Sequence, residues 1–65
     1  MNYYKITVRF KTGNDDLKTE ETHRNFENDT EAFVYASGFA DGLVTTSYGI
    51  LLEKQIDKLS DDRRL

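Results

Sequence analysis

The chain has 65 residues, with 12 acids against 9 lysines and arginines, a formal charge of −3, and neither cysteine nor proline. A domain of about 60 residues buries only roughly 60% of the surface that its unfolded chain exposes, and here no disulfide or thiolate metal site reinforces the thin core. Net negative charge removes the phosphate attraction behind most non-specific nucleic-acid affinity and disfavours anionic membranes, while it favours basic protein surfaces.

From Tyr3 to Lys11 the sequence alternates, with Tyr4, Ile6, Val8 and Phe10 on one face and Tyr3, Lys5, Thr7, Arg9 and Lys11 on the other. Period two among β-branched and aromatic residues predicts a strand. The following TGNDD predicts a hairpin, with Gly13 and Asn14 able to take positive φ. LKTEETHRNF then has little apolar surface on either face and suits a charged edge strand. A loop of residues 12–17 would set Lys11 against Lys18 and Arg9 against Glu20.

ENDTEAF has the form of a helix start, with Asp29 or Thr30 as the cap and Glu31 in the first turn. Projecting residues 30–44 at about 100° per residue places Ala32, Phe33, Ala36, Phe39, Ala40, Leu43 and Val44 in one stripe facing the sheet. Val34, Gly38 and Asp41 fall on the other side and Tyr35 on the border. Gly42 is expected to stop the helix in the left-handed conformation. Gly38 is mid-helix, where glycine costs about 1 kcal/mol relative to alanine, and has no such excuse.

Residues 47–57 are assigned to a third strand, with Tyr48, Ile50, Leu52 and Ile56 alternating, because a hairpin alone is marginal. The alternative is a helix over ILLEKQIDKL, giving ββαα. The favoured architecture is α+β: a ββαβ chain whose right-handed crossover gives sheet order 2-1-3, apolar strand central, helix on one face. Residues 1–59 form one domain and 60–65 a solvated tail.

For chemistry, His23 is the single histidine and the chain has no cysteine, so Cys/His pairs are excluded and a serine triad would depend on one imidazole in a polar strand. The acids do not match a calcium loop, and no glycine-rich phosphate cradle occurs. No catalytic residue, metal ligand or cofactor is assigned, and an enzyme is not expected. Without the apolar stretch of a secretory signal or a membrane span, the cytoplasm is the expected location.

Two binding readings remain. Residues 1–14 carry three cations and no acid (+3), residues 15–31 carry seven acids and two bases (−5), and the rest carries −1. The first reading is a protein-interaction module, in which Asp15, Asp16, Glu20 and Glu21 meet a basic partner while Val34, Gly38 and Asp41 present the outer helix face. Self-association into a homodimer through the bare sheet face is compatible with it. The second uses Tyr3, Lys5, Arg9 and Lys11 as a sheet face for single-stranded nucleic acid. In size, charge and architecture the chain looks like the small acidic proteins that bacteriophages and mobile elements encode. That resemblance implies an inhibitor or accessory protein presenting acids to a basic groove of a host protein.

Overall fold

The computed structural model describes residues 2–61. Its elements are β1 (Asn2–Lys11), β2 (Leu17–Phe26), α1 (Asp29–Ser47) and β3 (Ile50–Asp61). The sheet order is β2-β1-β3, and β1 is antiparallel to both neighbours. Residues 50–61 thus form a strand, and the helical alternative for that segment is not the fold.

The alternation of β1 sets which face is buried. Tyr4, Ile6, Val8 and Phe10 are all at most 4% exposed, and Ala32, Ala36 and Ala40 cover them from the helix. Small residues four apart form a narrow stripe, so the helix can lie close against the central strand. Phe26, Tyr35, Phe39, Leu43, Val44 and Ile56 pack partly buried around this cluster. Phe33, placed in the buried stripe by the sequence, is 56% exposed, because it lies at the edge of that stripe in the open cleft on the β3 flank, with the Lys54 ammonium near its ring.

The ends of the elements differ from their sequence assignment for local reasons. Asn28 is the N-cap, its Oδ1 accepting from the Glu31 amide at 2.9 Å, while the Glu31 carboxylate accepts from the Glu27 amide at 2.9 Å. This reciprocal pair satisfies two amides otherwise left free at the helix start, so neither Asp29 nor Thr30 caps it. At the other end the helix runs through Gly42 to Ser47, held by Leu43 and Val44 on the core, and Tyr48 takes the left-handed cap (φ 55). Gly49 N–H donates to the Val44 carbonyl at 3.0 Å and Tyr48 N–H to that of Thr45 at 3.3 Å, closing the last turn. No glycine among the described residues has positive φ, so Gly42 is an interior residue and not the stop.

The first hairpin turns over residues 12–16, one fewer than expected. The Thr12 hydroxyl accepts the amides of Asn14 and Asp16, each at 3.2 Å, and Asp15, not Gly13 or Asn14, takes positive φ (68). The register shifts by one: Lys11 faces Leu17, Arg9 faces Thr19 and Glu20 faces Val8. β3 starts at Ile50, leaving Tyr48 in the cap, and continues through Ser60 and Asp61, which the sequence had given to the tail. Residues 62–65 of that tail lie outside the described residues.

Where the helix hands over to β3, the backbone passes against the end of β1. A Cβ on Gly49 would overlap the Lys11 carbonyl oxygen, and one on Gly13 would lie 2.9 Å from the Tyr48 carbonyl oxygen. At Gly38 and Gly42 an added Cβ meets no atom of the described residues within 4 Å. Gly38→Ala is therefore expected to stabilise the isolated chain by about 1 kcal/mol, raising its melting temperature by roughly 4–8 °C. Gly49→Ala is expected to lower stability by more than about 2 kcal/mol, because backbone must move to admit the methyl. Thermal denaturation of the two variants beside the parent measures both signs.

Candidate interaction surface

The sheet face away from α1 collects the odd residues of β1, and their partners determine its charge. Lys5 Nζ lies 3.7 Å from Glu21 of β2, Arg9 Nη1 is 3.3 Å from Glu53 of β3, and Lys11 Nζ is 3.7 Å from Asp15 of the turn. The Tyr3 ring stacks on His23 at 5.8 Å. Tyr3, Lys5, Arg9 and Lys11 do share one face, but each cation is matched by an acid, so the face is charge-balanced and not basic. That removes the uncompensated positive stripe on which a phosphate backbone would bind. His23 is exposed on this face and engaged by an aromatic ring.

The predicted acidic residues separate by strand alternation. Asp15 and Asp16 occupy the hairpin turn, while Glu20 and Glu21 project to opposite faces of β2. Glu21 and Asp15 are the ones bridged to cations; Asp16 and Glu20 are exposed and have no ion pair among the described residues. On the helix, Val34, Gly38 and Asp41 are all exposed and recur at helical spacing on the outer side.

Among the described residues, a cleft lies on each flank of α1. On the β3 side, Tyr4, Asp29, Phe33, Ile56 and Lys58 line one of about 300 Å³; the Tyr4 hydroxyl donates to Asp29 Oδ1 within it. Lys54 runs along the same flank, its ammonium 4.6 Å from the Phe33 ring centre and donating to Ser37 Oγ at 3.0 Å. On the β2 side, Phe26, Thr30, Glu31, Val34 and Tyr35 line a second cleft of about 470 Å³. Phe26 and Tyr35 belong to an aromatic row, with Tyr4–Phe26 at 5.8 Å, Phe26–Tyr35 at 5.3 Å and Tyr35–Phe39 at 6.1 Å. The Arg24 guanidinium sits 5.0 Å over the Tyr35 ring.

Sequence reasoning missed the role of Phe26 and Tyr35 because they come from different elements and meet only through the crossover. It also missed an apolar end: Leu17 and Ile50 both face Lys11 across the sheet, and with Tyr48 they are 69%, 59% and 89% exposed. The pattern of β2 hinted at this, since Leu17 is the one aliphatic residue in a strand otherwise polar apart from Phe26. Among the described residues no three His, Asp or Glu side chains converge as a metal site, and no helix is long and apolar enough to cross a membrane.

Comparison with protein-family profiles, with curated proteins and with solved structures found no match to this chain.

Exposed ion pairs contribute about 0–1 kcal/mol each. Replacing Glu21 and Glu53 together by glutamine is therefore expected to change the unfolding free energy by less than about 1 kcal/mol while leaving Lys5 and Arg9 unmatched. Retention on an anionic resin at low salt should rise in that double variant, and unchanged retention would show that these acids do not balance the face.

Proposed function

We propose that this chain is a small, non-enzymatic protein-interaction module that presents an acidic hairpin edge to the basic surface of a protein partner. The observation that carries this reading is the exposure of Asp16 and Glu20, neither in an ion pair among the described residues, at one end of β2, beside Asp15 and Glu21, on a strand that is almost wholly solvent-facing. Charge on an edge strand blunts indiscriminate strand pairing while leaving side chains available to steer a partner. The outer helix face of Val34, Gly38 and Asp41 is exposed as well, with Gly38 and Gly42 bare enough for another backbone to approach closely.

A partner that uses a basic groove to hold nucleic acid fits this chemistry, and blocking that groove in the manner of small bacteriophage-encoded inhibitors is the functional consequence we infer. The apolar end at Leu17, Tyr48 and Ile50 supports self-association as part of the same assembly, which light scattering would register as twice the 7.6 kDa mass. The nucleic-acid reading of the sheet face is less well supported, because Lys5, Arg9 and Lys11 are already matched.

The deciding measurement is the association rate with a purified basic partner, compared between the parent and a variant carrying Asp15→Asn, Asp16→Asn, Glu20→Gln and Glu21→Gln. Electrostatic steering predicts a fall of about tenfold or more at low ionic strength that shrinks as salt is added. Equal rates at all salt concentrations would exclude the acidic edge as the docking element.

A further inference from the structure

The two flanks of α1 differ in what their own side chains already supply. On the β3 flank, Lys54 and Lys58 bring cations to the cleft, and the Asp29 carboxylate is held by the Tyr4 hydroxyl. On the β2 flank, the cleft walls are Phe26, Val34 and the Tyr35 ring, and the charged group lining it is Glu31. One oxygen of that carboxylate accepts the Glu27 amide, and no cation among the described residues pairs with it. On this flank Glu27 and Glu31 stand against Arg24, a local charge of −1.

We propose that this cleft between the end of β2 and the start of α1 anchors an arginine of the basic protein partner. The proposal rests on the interaction-module reading above and gives it a specific contact. Val34 and Phe26 accommodate the aliphatic stem, the Tyr35 and Phe26 rings offer faces to the planar guanidinium, and Glu31 offers an acceptor for its N–H groups. Arg24 shows the preference within the chain itself, since its guanidinium already lies over one side of the Tyr35 ring. A single charged side chain entering an otherwise apolar cleft is stabilised there only if it meets an opposite charge, and Glu31 is the group positioned to do so. Val34 also belongs to the outer helix face, so a partner anchored here continues along Gly38 and Asp41 without crossing the sheet.

The test is an NMR titration of the ¹⁵N-labelled full chain with a glycine–arginine repeat peptide and, separately, a glycine–lysine repeat. Saturable shifts at the amides of Phe26, Thr30, Glu31, Val34 and Tyr35, tighter for the arginine peptide, are the expected result. Glu31→Gln keeps an acceptor for the Glu27 amide and so retains the helix start, yet should weaken the arginine peptide about threefold. Tyr35→Leu keeps an apolar wall and should abolish the preference for arginine over lysine, with circular dichroism checking that the fold persists. Shifts confined to residues 15–21 would overturn the anchor and leave the acidic edge standing. No shift at either place would overturn both readings, and equal affinity for the two peptides, or no effect of Glu31→Gln, would overturn the arginine assignment.

Discussion

The close packing of α1 on β1 is the constraint on which the rest of the molecule depends. Ala32, Ala36 and Ala40 are each at most 1% exposed, and the methyls of Ala36 and Ala40 pack in one buried cluster with the side chains of Ile6, Val8 and Phe10. A core this thin leaves no second layer to absorb a misplaced element. The helix is fixed at its start by the Asn28–Glu31 cap and by the Tyr4–Asp29 hydrogen bond, and at its end by the Gly13 N–H donating to the Ser47 carbonyl at 2.9 Å. Between those points its outer face is exposed, and Gly38 and Gly42 sit there.

Placing β1 in the centre has an electrostatic consequence. The strand holds three of the cations, and centrality gives each an acid within reach, from β2, from β3 or from the turn. Charge that looks segregated along the chain, positive at the start and negative after it, is interleaved on the sheet. What stays unbalanced is the acidity at the hairpin end of β2 and at the start of α1, and both proposed contacts lie there.

Thinness also explains the exposed apolar groups. One helix covers the middle of a sheet whose third strand is twelve residues long, and strand residues beyond its reach, such as Ile50, Leu51, Leu52 and Leu59, keep 44–59% of their surface. The same geometry leaves grooves on either side of the helix, where side chains of the flanking strands lean against it. Their characters differ because β3 brings lysines to one groove while β2 brings an aromatic ring, and an arginine already stacked, to the other.

The sequence by itself determined the strand of alternating residues, the buried face of that strand, the alanine stripe of the helix, and hence the order β2-β1-β3 and the exposure of Val34, Gly38 and Asp41. These follow from periodicity and from handedness, which are properties of short segments and of any right-handed crossover. Tertiary structure alone decided the hairpin register, the helix ends and the Phe26–Val34–Tyr35 cleft. Each hangs on a contact between distant residues or on one side chain's choice of partner: the Thr12 hydroxyl tightened the turn and shifted every cross-strand pair by one residue, Asn28 outcompeted its neighbours for the Glu31 amide, and the packing of Leu43 and Val44 carried the helix past Gly42. Gly38 and Gly49 illustrate the division. Both are glycines in the same half of the chain, yet only the fold shows that one faces open space and the other lies against the carbonyl of Lys11, because that distance depends on two segments far apart in sequence.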